Sequence, residues 1–247
     1  MPVLNSQNMD THAADGSGYG FSATRIEDLG SSEYTLVGIT TDKSGSVEPF
    51  RDEIENCVKA VVNACRHSPR ADNLMLRLVA FDNHLQEIHG FKMLSECNEK
   101  DYDGCITIGG TTALFDAGVN VVESVTRYGK DLLDQDFAVN GIVFVITDGM
   151  NNAGKSTVTS LKDALERAVT SESVESMVSV LVGVNTDAQG LNAYLDDIAQ
   201  QAGFTQYVPI GDASAKKLAR LADFVSRSIS SQSQALGSGG PSQSLSF

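Results

Sequence analysis

At 247 residues, 41% of them hydrophobic, the chain is long enough for one sizeable α/β domain with tails, and it can bury a core without a partner. Its formal net charge of −14 and its lack of tryptophan argue against nucleic acid and anionic membrane surfaces, which call for basic patches or stacking aromatics. No apolar run is long enough to span a bilayer, and the N-terminus MPVLNSQNMD lacks the charged-then-apolar order of a signal peptide.

Residues 1–30 are rich in Gly, Ser, Asn and Asp without periodicity and are expected to form a flexible arm. An apolar, β-branched run at 34–42 then predicts a strand buried on both faces. It ends in Asp42-Lys43-Ser44-Gly45-Ser46, which sets three oxygen side chains at alternate positions of a tight turn. Pro49 sits where a helix can begin, and Ile54, Cys57, Val58, Val61, Val62 and Cys65 give that helix an apolar stripe to about residue 67. Cys57 and Cys65 are expected to face the core. None of the four cysteines (Cys57, Cys65, Cys97, Cys105) falls in a CxxC spacing, which fits a reduced, cytoplasmic protein.

Residues 74–81 and 85–93 are short apolar runs joined by Asp82-Asn83, a spacing that predicts an antiparallel hairpin. His84 and His89 lie on this hairpin and read as surface residues. After a polar stretch, Gly109-Gly110-Thr111-Thr112 opens a helix over 113–134. A fourth strand at 139–147 ends in Asp148-Gly149. A helix near 158–171, a strand at 177–184, a helix at 190–201 stopped by Gly203, a strand at 204–210 and a helix at 214–230 complete the domain. The Ser/Gln/Gly-rich remainder, 231–247, is expected to be a flexible tail; its apolar Leu245 and Phe247 raise the idea of a docking peptide. The alternation predicts a doubly wound, Rossmann-like three-layer α/β fold over 31–230. Its six-stranded sheet is mostly parallel, ordered 3-2-1-4-5-6, with one short antiparallel edge strand. In that order Asp42 and Asp148 leave adjacent strand ends, where open α/β sheets bind ligands, and Thr112 can reach the same spot. Carboxylate and hydroxyl oxygens together suit a hard cation.

DxSxS at Asp42, Ser44 and Ser46, a Gly-Gly-Thr turn with Thr112, and a strand ending in Thr147-Asp148-Gly149 resemble, in order and spacing, the metal-ion-dependent adhesion site of von Willebrand factor A domains. The resemblance covers roughly 33–230 and is closest to bacterial, intracellular, single-domain members. It implies Mg²⁺ (or Mn²⁺) held directly by Ser44, Ser46 and Thr112 and directly or through water by Asp42 and Asp148. Thr111 is the alternative to Thr112. Asp116 reads either as support for these ligands or as an acidic residue favoured at a helix start. A cation held largely by uncharged hydroxyls stays electrophilic and accepts an Asp or Glu of a partner protein. The resemblance thus implies a metal-dependent protein-interaction module, not an enzyme, with AAA+ ATPases of the MoxR type or stress-response complexes as candidate partners.

Three other readings compete. The stretch 149–156, GMNNAGKS, fits the phosphate-binding pattern GxxxxGK[ST] and predicts a nucleotide hydrolase, but it leaves the DxSxS turn unexplained. An EF-hand loop starting at Asp42 fails because Val47 takes the position that needs glycine. Ser44 and Ser46 could also simply cap the first helix.

Overall fold

The computed structural model describes residues 8–14, 18–187, 190–211 and 214–238. Eight strands form one sheet: β1 (Met9–Ala13), β2 (Gly20–Thr24), β3 (Glu33–Asp42), β4 (Leu74–Phe81), β5 (Leu85–Met93), β6 (Ala138–Thr147), β7 (Ser176–Val184) and β8 (Gln206–Gly211). Their order is β1-β2-β5-β4-β3-β6-β7-β8. Helices α1 (Arg51–Arg66) and α5 (Ala215–Ser238) cover one face; α2 (Leu114–Leu133), α3 (Val158–Thr170) and α4 (Leu191–Ala202) cover the other. With both faces covered, β3, β4 and β6 read as near-continuous apolar runs and are buried almost throughout.

The six expected strands keep their mutual order, but the sheet has eight, and the strand expected at its antiparallel edge is not an edge. The two added strands fall in the segment expected as a flexible arm. β1 and β2 pair antiparallel, and β2 meets β5 in parallel at Ala23 and Phe91. What holds this hairpin is specific chemistry rather than strand propensity. Phe21 and Ala23 are buried, Phe21 packs edge-on against Phe91, and His12 stacks on Phe21. The Tyr128 hydroxyl donates to the Thr24 carbonyl (2.6 Å), and the Ser22 amide donates to Glu87 (3.0 Å). Gly90 makes the approach possible, because a Cβ there would lie 2.2 Å from the Ser22 carbonyl oxygen.

His89 is also not a surface residue. Register shifts opposite it in β4 change the alternation of β5, and the polar stretch after β5 folds over the strand. His89 is buried with Nε2 3.2 Å from the Tyr102 hydroxyl, and burial pushes its pKa down to about 4. His84 stays exposed. Cys57 and Cys65 are buried in the core, and burial pushes both thiols up to about 12. Helix α5 runs on to Ser238, through the first part of the segment expected as a tail. Leu245 and Phe247 lie outside the described residues.

β3 sits at the topological switch point, between β4 and β6. Helix α2 presses onto it there: a Cβ on Gly38 would lie 2.6 Å from Val121 Cγ2, so only glycine lets the helix this close to the strand. This fixes the start of α2 above the carboxyl ends of β3 and β6.

Candidate metal centre

β3 and β6 are parallel and in register from Glu33/Ala138 to Thr41/Ile146, so Asp42 and Thr147-Asp148 leave the sheet at the same level. Asp42 is fully buried and held from two sides. Its Oδ1 accepts from the Ser44 amide (2.8 Å), and its Oδ2 accepts from the Thr147 hydroxyl (2.6 Å). The Ser44 and Ser46 hydroxyl oxygens are 3.1 Å apart. Ser46 Oγ donates to Asp148 Oδ1 (3.1 Å), and Thr112 Oγ1 donates to Ser44 Oγ (3.0 Å). A continuous chain, Thr112–Ser44–Ser46–Asp148, thus joins three segments distant in sequence, with Asp42 at its base. A Cβ on Gly149 would lie 3.4 Å from Ser46 Oγ, 3.6 Å from Thr112 Oγ1 and 3.9 Å from Asp42 Oδ2. The missing side chain keeps carbon off the face these oxygens share.

All five expected residues come together. Of the two threonines, Thr112 is buried in the cluster and Thr111 is exposed. Ser44 and Ser46 do not cap α1. Ser44 opens a 3₁₀ turn over Gly45–Phe50 without a side-chain capping bond, and α1 starts beyond it at Arg51. Asp116 touches none of the five side chains through a hydrogen bond. It accepts instead from the amides of Lys155 (3.1 Å) and Ser156 (2.6 Å). Those are amides that a phosphate loop would turn toward its ligand, so the chain's own carboxylate takes the place a phosphate would need.

The donor set fits a hard divalent cation: two carboxylates and three hydroxyls, no sulfur and no imidazole. No cluster of three or more His, Cys, Asp or Glu side chains suited to a metal occurs among the described residues. The hydroxyls are what complete this set. Burial, aided by the nearby charge of Asp42, pushes Asp148 up to about 6, and burial raises Asp42 as well. The sign of the resulting pH dependence is fixed. Raised carboxylate pKa values favour the protonated folded state, so the ionised Asp148 costs stability in full above about pH 6, a cost that fades as pH falls through it, and Asp42 acts in the same direction. A cation needs both groups ionised. The rise in melting temperature on adding Mg²⁺ or Mn²⁺ is therefore expected to be full well above about pH 6 and to shrink as pH falls below it. The apparent affinity should fall about tenfold per pH unit for each proton displaced. Melting curves with cation and with chelator across that range check this.

Three solved structures show the same architecture. A point variant of the PilB minor pilin from Streptococcus sanguinis superimposes with a TM-score of 0.61 at 13% identity, covering 91% of this chain and 67% of that one. A von Willebrand factor type A protein from Catenulispora acidiphila gives 0.54 at 14%, covering 90% and 50%. Proximal thread matrix protein 1 from the mussel byssus, in a structure with a zinc-occupied metal-ion-dependent adhesion motif, gives 0.52 at 21%, covering 79% and 46%. The fold is von Willebrand factor A-like. This chain spans about half the length of the latter two proteins. No protein-family profile and no curated protein sequence matches it.

In this von Willebrand factor A-like sheet, two residues that shape the site were not among the expected site residues. Thr147 orients Asp42, as above. Asp82, at the end of β4, takes the Lys43 ammonium (Nζ–Oδ2 3.1 Å) and, through its backbone carbonyl, the Ala113 amide (2.9 Å). It ties the DxSxS turn to the start of α2. The strand-end rule that singled out Asp42 and Asp148 applies equally to Asp82, since β4 is the other neighbour of β3.

Proposed function

We propose that the chain is a metal-dependent protein-interaction module. Ser44, Ser46 and Thr112 hydroxyls, with the Asp42 and Asp148 carboxylates, would hold a divalent cation, Mg²⁺ or Mn²⁺. When bound, the cation supplies an electrophile for one carboxylate oxygen of a partner's Asp or Glu. The observation that carries this reading is the Thr112–Ser44–Ser46–Asp148 hydrogen-bond chain over buried Asp42. The zinc in the adhesion motif of the mussel protein supports a cation here by analogy of fold. The chain's own residues do three things: Asp42 fixes the turn through the Ser44 amide, Thr147 fixes Asp42, and Gly149 keeps the shared oxygen face uncovered.

The proposal includes no catalysis. It places the protein in the cytoplasm, in keeping with four free cysteines, and it includes neither membrane nor nucleic acid as partner, in keeping with the net charge of −14. Among the described residues, no helix is long and apolar enough to cross a membrane. The partners suggested by resemblance, AAA+ ATPases or stress-response complexes, belong to the same proposal. The test is calorimetric titration with Mg²⁺ and Mn²⁺, followed by capture of partners with and without chelator. Saturable cation binding and chelator-sensitive capture are expected. Absence of binding at millimolar cation, or capture indifferent to chelator, would overturn the reading.

A further inference from the structure

The phosphate-loop pattern at 149–156 has a different job in this fold. Gly149 borders the oxygen face of the metal centre, and the residues after it wrap Thr112 and the start of α2. Thr112 lies before that helix, in no regular element, so helical hydrogen bonds do not set its orientation. We infer that Asn152 is a positioning residue that sets the Thr112 hydroxyl in the metal centre, with Asn151 securing the helix end beside it. The inference rests on the cation site proposed above.

Thr112 is gripped on both sides by one short segment. Its amide donates to Asn152 Oδ1 (2.7 Å), and its carbonyl accepts from the amides of Asn152 (3.0 Å) and Ala153 (3.1 Å). Holding the N–H and C=O of one residue fixes the peptide planes before and after it, and with them the direction of its Cβ. The side chain then carries Oγ1 to Ser44. Asn151 Oδ1 accepts from the Phe115 amide (3.2 Å), supplying the cap that Ala113, with no polar side chain, leaves out. The segment is itself anchored. The Asn151 amide donates to the Tyr194 hydroxyl of α4 (3.1 Å), and Asp116 takes the amides of Lys155 and Ser156. Losing a group that orients a metal's ligand costs roughly 10–100-fold in metal affinity.

The experiment measures Mn²⁺ affinity by calorimetry on the full chain, in wild type, Asn152→Ala, Asn152→Asp, Thr112→Ala and the double variant Asn152→Ala/Thr112→Ala. Asn152→Ala is expected to weaken Mn²⁺ binding about tenfold. Asn152→Asp keeps an acceptor for the Thr112 amide and is expected to stay at wild-type affinity or above. In the Thr112→Ala background the Asn152→Ala change should add nothing, a result that general loosening of the fold would not give. Should Asn152→Ala fail to fold, Asn152→Ser, with its shorter side chain, carries the same expectation. Wild-type affinity in Asn152→Ala, or the same loss with and without Thr112, would overturn the inference while leaving the metal centre standing. A wild-type chain that binds no Mn²⁺ would overturn both.

Discussion

Replacing Asp42 by alanine is expected to abolish the stabilisation that Mg²⁺ or Mn²⁺ gives the wild-type chain, while leaving the chelated protein folded. The two halves of this expectation have different causes. Asp42 is the buried carboxylate at the base of the oxygen cluster, and its partners, the Ser44 amide and the Thr147 hydroxyl, belong to the two strand ends the site joins. Without it, one of two charges that would offset the cation is gone and the DxSxS turn loses its anchor. A ligand present at 100 times its Kd contributes about 2.7 kcal/mol of stability, and that increment should disappear. Burial already disfavours the ionised form of Asp42, so removing the group relieves a cost that offsets the lost hydrogen bonds. Thermal melts of both proteins, with cation and with chelator, test this. A cation-dependent shift that survives in Asp42→Ala would place the cation elsewhere.

The largest loss of stability is expected at Arg77, away from the site. Only 1% exposed, it donates from Nε to Glu87 (2.7 Å) and from its two terminal nitrogens to Ser124 Oγ and Asn120 Oδ1 (3.1 Å each). Its guanidinium carbon lies 5.7 Å from the centre of the Phe21 ring. One side chain therefore joins β4, β5, α2 and the N-terminal hairpin. Removing the buried guanidinium strips the partly exposed Glu87 of its charge partner and takes a donor from Ser124 and Asn120, at a cost of about 3 kcal/mol. For a chain of this size that is a fall in melting temperature of about 6–12 °C. Arg77→Met should show it, and Arg77→Met/Glu87→Gln should recover part of it, because the stranded carboxylate is then neutral. A double variant no more stable than the single one would mean that packing, not charge, accounts for the loss.

What could be read in advance follows from what the residues encode locally. The apolar runs of β3, β4 and β6 and the oxygen side chains at their carboxyl ends are local patterns, and the switch-point rule then brings Asp42 and Asp148 together without further information. The β1–β2 hairpin was not legible, because its segment holds one large inward residue, Phe21, among glycines and polar residues. Its partners, Glu87, Phe91 and Tyr128, belong to distant elements. His89 was misplaced for a related reason: the bulged register of β4 against β5 and the loop carrying Tyr102 decide its burial, and neither is written in β5 itself. The competing phosphate-loop pattern shows the converse. Its residues are spaced for an anion, yet Asp116, on a helix far earlier in the chain, takes the amides.

The hairpin also bears on how the chain matures. Ser22 meets Glu87 across 65 residues, and Thr24 meets Tyr128 across 104. The hairpin is synthesised before its partners, yet it cannot settle until most of α2 has been made. Until then Phe21 has no home, and β5 presents an open border to other nascent chains. Completion of this side of the sheet is thus a late, long-range event, of the kind that slows folding and invites chaperone contact.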